Sequence, residues 1–496
     1  MSMSYATGLK LSSQGRHVEA ITQFEQALAA QPDDTRVLFA LGNTAQVLGL
    51  SDAAQQFFHR VLALEPARLE ATVNLANLLR GTGQFDAAIA LLQPALARCP
   101  DSPELLLTLG SCFREKGEGE AAIAQYRAAL VIDPNYAPAL ANLADMLCDA
   151  GDRAAARTLY DQAIRCDPKN PQARLNRAIL HLLNGDLKDG WRDYAARLEV
   201  PGKVPVMGGE QRLLPWTGAH LKRARLLVRS EQGVGDQILF ASLIPDLAAR
   251  AKAEGGSVVL ECEPRLAALF ARSFPEVTVK PASIRSIGGV PVAAYDWLKS
   301  AGGATAATLM GSLPRYLRAS LDRFPDPHAF LVPEAGEVAH WKSQFGEKAI
   351  GICWRSGKSG GHRSIQYAPL ERWGAALRDM PGTLVSVQYD ATPDEVAQLE
   401  SLSGRKILVP QGIDQKNELD RAAALMAALD AAITAPTAVS WLAAGVGTRT
   451  FKILYDTSWT ALGQTHEPFA PSCTCVMPRE RGDWGDVFRQ VITALS

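Results

Sequence analysis

Five prolines, Pro32, Pro66, Pro100, Pro134 and Pro168, recur at an unbroken spacing of 34 residues. The chain has 29 prolines in 496 residues, so five in one register is not a chance arrangement. Other positions keep the same phase. A small residue returns at Gly8, Gly42, Ala76, Gly110, Ala144 and Ala178, and a second at Ala20, Ala54, Ala88, Ala122 and Ala156, with Gly190 in a sixth copy. Four residues beyond the second comes a large one: Phe24, Phe58, Leu92, Tyr126, Tyr160 and Tyr194. Small residues let two helices of a hairpin approach, and the large residue is expected to fill the gap to the next hairpin. Proline ends the second helix because it has no N–H to continue the ladder. The register predicts six helical hairpins over residues 1–197.

A period of 34 is that of the tetratricopeptide (TPR) repeat, whose stacked hairpins curve into a superhelix with a concave binding face. One first-helix position reads Ala40, Asn74, Thr108, Asn142 and Asn176. This resembles the asparagine ladder in the groove of the eukaryotic O-GlcNAc transferase. A carboxamide donates and accepts, so a row of them can hold a peptide backbone with little regard for sequence. The other reading is that these amides face solvent.

Bulk composition narrows the class. Apolar content of 47%, charged content of 21% and a net charge of -1 describe a soluble globular protein without a basic field for nucleic acid. No stretch reaches the roughly 18 apolar residues of a membrane span, so no integral membrane segment is expected. The N-terminus lacks the apolar core of a secretory leader, which places the expectation in the cytoplasm. Of eight cysteines only Cys473 and Cys475 are close. A lone CxC is a poor metal motif, so buried thiols are expected and no metal.

After Tyr194 the period stops. Residues 198–220 are rich in Pro and Gly and read as a connector. Strand-like runs then alternate with helical ones. They begin at Leu226-Leu-Val-Arg, Ser257-Val-Val-Leu-Glu-Cys and Val277-Thr-Val-Lys, with helices over 237–250 and 264–273. A second set starts at Ala349-Ile-Gly-Ile-Cys-Trp and continues at Thr383, Lys406, Ala431 and Arg449. Such alternation predicts parallel sheets covered by helices, in two lobes over 221–340 and 341–496, with ligand at the carboxyl ends of the strands.

Three motifs follow strands. In Ser230-Glu-Gln-Gly-Val-Gly-Asp-Gln-Ile, Gly233 and Gly235 permit a tight turn and Asp236 starts a helix, either as its N-cap or as a group facing the cleft. In Trp354-Arg-Ser-Gly-Lys-Ser-Gly-Gly-His-Arg, the cations Arg355, Lys358, His362 and Arg363 crowd a glycine-rich loop, which is either solvated or suited to a phosphate-bearing donor. In Thr434-Ala-Pro-Thr-Ala-Val-Ser-Trp, a helix beginning near Thr437 offers amides and dipole to a phosphate, with Thr437 as N-cap or phosphate donor.

The three motifs in this order resemble bacterial tetratricopeptide-containing glycosyltransferases, whose catalytic half has the GT-B fold and is similar to the heptosyltransferases. Asn184-Gly-Asp-Leu-Lys-Asp-Gly-Trp-Arg-Asp-Tyr and Leu214-Pro-Trp-Thr-Gly resemble the family's joint between its halves. The resemblance implies an all-α TPR superhelix followed by an α/β GT-B fold of two Rossmann-like lobes, the first on the acceptor side and the second on the nucleotide-sugar side. It implies Asp236 as the general base within an acceptor-side turn of Gly233, Gly235 and Gln237. It implies Arg355, Lys358 and Arg363 on the donor phosphate, capped by Thr437 and the amide of Ala438. It implies a nucleotide-sugar co-substrate, no further cofactor and no metal. Some relatives modify flagellin, which makes flagellin the leading acceptor, bound by Asn74, Thr108, Asn142 and Asn176. The chain departs from the family where Pro436 and Trp441 replace an aspartate and a histidine. Two alternatives stand beside this reading. One is a transferase acting on lipopolysaccharide or another glycan, with Leu221-Lys-Arg-Ala-Arg toward the membrane; the other is a non-catalytic adaptor.

Overall fold

The computed structural model describes residues 3–200, 204–208, 213–287, 290–325, 328–357 and 365–496, in two compact units, Met1–Ala173 and Arg174–Ser496. In the first unit helices pair as α1 (Met3–Ser13) with α2 (His17–Ala30), α3 (Thr35–Val47) with α4 (Ser51–Leu64) and α5 (Leu69–Gly81) with α6 (Phe85–Arg98). Two more pairs follow, α7 (Pro103–Lys116) with α8 (Gly119–Ile132) and α9 (Ala137–Asp149) with α10 (Arg153–Cys166). A sixth pair, α11 (Pro171–Leu183) and α12 (Leu187–Tyr194), belongs to the second unit from Arg174 onward, so the boundary falls inside this hairpin and not at residue 197.

The proline register acts through the residue before it. Gln31, Glu65, Cys99, Asp133 and Asp167 each leave the helix at φ between -140 and -127° and ψ between 70 and 98°. The following proline ring excludes the helical region there, so each second helix stops at the same phase. Within the hairpins, Gly15, Gly49, Gly83, Gly117, Gly151 and Gly185 turn the chain at φ of 74 to 90°, a conformation that only glycine takes without strain. A Cβ on Gly8, Gly42 or Gly110 would lie 2.5, 2.6 or 2.7 Å from the ring of Phe24, Phe58 or Tyr126. The large residue therefore closes its own hairpin in addition to filling the gap to the next one. Phe24 also shares a core cluster with Val37 and Leu41 of α3.

The second unit holds strands β1 (Val206–Met207), β2 (Leu214–Pro215), β3 (Arg225–Arg229), β4 (Ser257–Cys262), β5 (Thr278–Pro281), β6 (Ile284–Ile287), β7 (Val290–Ala293) and β8 (Ala306–Leu309). Its later strands are β9 (Ala349–Cys353), β10 (Thr383–Ser386), β11 (Ile407–Leu408), β12 (Ala431–Thr434), β13 (Arg449–Ile453) and β14 (Cys473–Val476). One sheet runs β2-β8-β3-β4-β5 with every neighbour parallel. The other runs β11-β10-β9-β12-β13-β14, also all parallel. In chain order the latter is the doubly wound 3-2-1-4-5-6 arrangement, which directs a ligand to the carboxyl ends of the two strands where the order reverses. Those strands are β9 and β12 here, and β3 and β8 in the first sheet.

The connector contributes β2 to the edge of the first sheet, and β1 to a small sheet β1-β7-β6. One expectation is corrected. The single helix expected over 237–250 is two, α13 (Val234–Ala241) and α14 (Ile244–Ala253). Pro245 has no N–H for the carbonyl of Ala241, and the Ser242 hydroxyl bonds back to Leu239 O at 2.7 Å.

Candidate active site

The turn after β3 is fixed residue by residue. Ser230 donates its N–H and its hydroxyl to the buried Glu261 carboxylate, at 2.9 and 3.2 Å. Glu231 is buried against Arg197. The left-handed residue of the turn is Gln232, at φ 63°, not a glycine. Gly233 is the N-cap of α13 in extended conformation, at φ -86° and ψ 172°.

Asp236 sits in the first turn of α13, three residues beyond the N-cap, and accepts the Gly233 N–H at 3.1 Å. Burial raises its pKa above the ordinary aspartate value, the Gly233 N–H opposes this, and the nearby charge of Glu231 adds to it. A carboxyl made more basic in this way suits proton abstraction. Gln237 does not face an acceptor: its side chain is buried and its Oε1 accepts the Glu263 N–H at 2.8 Å. Gly235 serves close approach instead of turning. A Cβ there would lie 3.3 Å from Cα of Ala438 and 3.5 Å from Cδ1 of Trp441, on the helix Ala438–Gly445 of the second lobe.

These two helix starts flank a cavity of about 380 Å3, with Val234 and Gly235 on one side and Thr437, Ala438 and Val439 on the other. Thr437 is the N-cap, its Oγ1 accepting the Val439 N–H at 3.3 Å. Helix dipole and free amides favour an anion there. Arg265 and Lys416 bring positive charge to the lining, Arg265 also bonding Lys416 O at 2.9 Å and Glu263 at 2.8 Å. Sequence reasoning missed both cations. Lys416 lies in the loop after β11, at the carboxyl edge of the sheet, and that position is the only signal it offered.

Arg355 does not fit the role expected of it. Its guanidinium forks onto Glu395 at 2.5 and 2.7 Å, and reaches both carboxylate oxygens of Asp390 at 3.0 and 3.1 Å. A cation neutralised by two carboxylates has little left for a phosphate. Lys358, His362 and Arg363 lie outside the described residues. Trp441, where the resembled family has a histidine, is buried in the contact with Gly235, and the buried Lys452 ammonium stands 4.9 Å from its ring centroid. Lys452 is paired with the buried Glu467. Cys473 and Cys475 are buried thiols whose burial pushes them up to about 11 and about 12. Among the described residues no three His, Cys, Asp or Glu side chains are grouped to hold a metal, and no helix is long and apolar enough to cross a membrane.

On the repeats, Asn74 Nδ2 donates to Asn43 Oδ1 at 2.8 Å, and Asn142 Nδ2 to Ser111 Oγ at 3.5 Å. The ladder residues thus bond to the preceding repeat and are half-buried. Thr108 is buried and its hydroxyl bonds Glu104 O at 2.8 Å, which removes it from the groove. Asn176, in the second unit, is half-buried.

A helical-repeat array followed by parallel α/β sheets defines the class of this chain. The tetratricopeptide repeat family matches residues 11–66, 73–137 and 113–178. Protein FlbA of Caulobacter vibrioides is 33% identical over 328 residues, 64% of this chain and 54% of the relative. The chain therefore spans about half the length of that curated relative. Among solved structures, a thermophilic TPR protein of Thermus thermophilus is 27% identical over 36% of this chain and 98% of its own, at a TM-score of 0.32. MamA is 25% identical over 34% of this chain and 96% of its own, at a TM-score of 0.30.

Proposed function

We propose that the chain is a GT-B glycosyltransferase that moves a sugar from a nucleotide-sugar donor to hydroxyls of a protein recruited by its repeats, flagellin being the leading acceptor. The observation that carries this reading is the cavity where Val234 and Gly235, adjoining Asp236 at the start of α13, meet the N-terminus of Ala438–Gly445 in the other lobe. In the proposed step Asp236 takes the proton of the acceptor hydroxyl as its oxygen bonds to the anomeric carbon. The bond from that carbon to the phosphate oxygen breaks, and the nucleotide phosphate departs with the electron pair. The amides at Thr437 and Ala438 receive the growing negative charge, aided by Lys416 and Arg265. The donor-phosphate role of Lys358 and Arg363 rests on the resemblance alone, since both lie outside the described residues. Repeats that hold the acceptor protein raise its local concentration at the cavity. The flagellar assignment rests on the resemblance to bacterial tetratricopeptide-containing glycosyltransferases.

The test is co-expression of the full chain with flagellin and measurement of the intact mass of the acceptor. A glycan mass present with the wild type and absent with Asp236→Ala supports the reading. An unchanged glycan with Asp236→Ala removes Asp236 as base. A second reading, an adaptor without activity, draws support from Arg355 and Trp441, both turned to structural use. It predicts no added mass under any condition while flagellin still binds.

A further inference from the structure

The last hairpin is not equivalent to the other five. At one buried position of the second helix the first five repeats carry Ala27, Val61, Ala95, Ala129 and Ala163, and at the same phase the sixth copy carries Arg197, in the 3-10 turn Ala195–Leu198 that follows α12. Replacing a buried small apolar side chain with a guanidinium is costly unless the charge is met. It is met within the lobe that holds Asp236. Arg197 Nε and Nη2 donate to the two oxygens of Glu231 at 3.0 and 2.6 Å, Nη2 also reaches Ser312 Oγ at 2.8 Å, and Nη1 reaches Tyr194 O at 3.2 Å. Glu231 in turn accepts the Gly311 N–H at 2.8 Å. One ion pair thereby joins the ends of β3 and β8, the two strands where the order of the first sheet reverses.

Tyr194 secures the next residue. Its hydroxyl donates to Gln232 Oε1 at 3.3 Å and lies 3.1 Å from the Gln232 Nε2 donor. Gln232 is the residue at φ 63°, a conformation that an L side chain keeps only when its surroundings hold it. The following residue, Gly233, bonds the Asp236 carboxylate. The same helix reaches the second lobe: the Trp191 ring lies 6.4 Å from Trp459 and 6.2 Å from Phe469, and the Tyr194 ring 5.7 Å from Trp459.

We propose that Arg197 and Tyr194 are positioning residues that clamp the Glu231–Gly233 turn and so set the place of Asp236 at the head of α13. The catalytic consequence rests on the transferase reading; the clamp itself does not. A buried ion pair contributes little net stability over an apolar pair of similar volume, whereas it fixes one arrangement of the groups it joins. The sixth hairpin is then a working part of the α/β unit and not the end of a recruiting arm.

The test uses the full chain with Arg197→Met, Arg197→Lys, Arg197→Met/Glu231→Gln and Tyr194→Phe, followed by peptide-resolved hydrogen exchange and by transfer kinetics. Arg197→Met should speed exchange in 230–240 by tenfold or more while β4 and the first unit exchange as in the wild type, which also shows that the variant folds. The double variant removes the stranded carboxylate charge but not the need for the fork, so exchange in 230–240 should stay fast; restored slow exchange would show that the stranded charge, and not the lost clamp, loosened the turn. In transfer assays with flagellin, Arg197→Met should lower kcat by tenfold or more with donor KM within twofold. Arg197→Lys should recover part of the loss, and Tyr194→Phe should show a smaller one. Unchanged exchange at 230–240 in Arg197→Met overturns the clamp, and so does faster exchange spread evenly over the chain. If the wild type transfers no sugar, the transferase reading falls on its own, and the exchange data still decide whether the clamp exists.

Discussion

Arg355→Met separates a structural cation from a phosphate ligand. In the folded protein the Arg355 and Glu395 side chains are 21% and 19% exposed, so the pair is only partly shielded from water by the protein. Burial alone would raise the Glu395 carboxyl. The Arg355 fork, the Thr392 N–H and the Trp354 indole N–H overcome that and hold it at about 2, against an ordinary 4.5. At about 1.36 kcal/mol per pH unit, a carboxyl lowered this far adds roughly 3 kcal/mol to folding at neutral pH. The Arg355 fork is the strongest of the lowering groups, so its loss should cost about 2 kcal/mol. The sign is fixed by the direction of the displacement. A depressed acid stabilises the fold above its unfolded value of 4.5, and the contribution disappears as pH falls toward about 2.

The experiment is urea unfolding followed by tryptophan fluorescence, with Trp354 buried beside the site, at pH 7, 5 and 3. Arg355→Met should unfold earlier at pH 7, and the gap to the wild type should narrow at pH 3, where the unfolded chain has already taken up its carboxyl protons. Hydrogen exchange should localise the loss to the helix Pro393–Ser403, whose capping box includes Glu395. Arg355→Lys keeps a charge without the fork and should lose about half as much. If Arg355→Met matches the wild type within about 0.5 kcal/mol at pH 7 while nucleotide affinity falls tenfold, the structural assignment is wrong and Arg355 is a donor ligand.

Gly42→Ala should destabilise by about 1 kcal/mol, because roughly 2 kcal/mol of overpacking against the Phe58 ring exceeds the roughly 1 kcal/mol gained in helix propensity. Phe58→Leu in the same chain should recover the melting temperature by recreating the Ala76 and Leu92 combination, and a Gly42→Ala variant that melts higher than the wild type contradicts the packing argument. Asn74→Ala with Asn142→Ala should raise KM for the protein acceptor severalfold at constant donor KM; equal acceptor KM values would remove the ladder from the groove. Asp236→Asn should lower kcat by about 10²–10⁴-fold. In the wild type kcat/KM should rise with pH through a value above the ordinary 3.8 of aspartate, since the base must be ionised and burial keeps its proton on; a limb at the ordinary value would show a carboxyl open to water.

What could be read in the sequence follows from which interactions are local. The hairpins were legible because each depends on residues within one period: a proline, a small residue, a ring. The glycines at Gly15, Gly49 and onward carried the same period and mark the tight turns of the hairpins. Buried parallel strands such as β9 and β12 read as unbroken apolar runs, whereas β6, exposed at every residue, has no pattern to read. The places of Asp236 and Thr437 at helix starts were legible because each follows a strand and opens a helix. The role of Arg355 was not legible, since its partners Asp390 and Glu395 stand 35 and 40 residues away and no local rule links them. Arg197 was legible as a break in phase, a charge at a position otherwise held by alanine or valine.

Periodicity reports how a hairpin closes on itself, not which domain it serves, and the sixth hairpin separates the two. It keeps Gly190 and Tyr194 in register, yet Trp191 Nε1 donates to Arg318 O at 3.0 Å and Arg197 completes the Glu231 ion pair, both within the second unit. The place at which the protein is cut therefore decides what a truncation can mean. Removing residues 1–173 should leave the second unit folded and able to bind a nucleotide sugar, with acceptor modification lost. Removing residues 1–197, at the end of the period, deletes Trp191, Tyr194 and Arg197 together and leaves Glu231 as an unpaired buried charge, a change worth about 3–5 kcal/mol before any lost packing is counted. That shorter protein should aggregate or melt well below the 174–496 fragment in a thermal scan. If both fragments melt at the same temperature, the sixth hairpin is only a repeat, and the unit boundary belongs where the period ends.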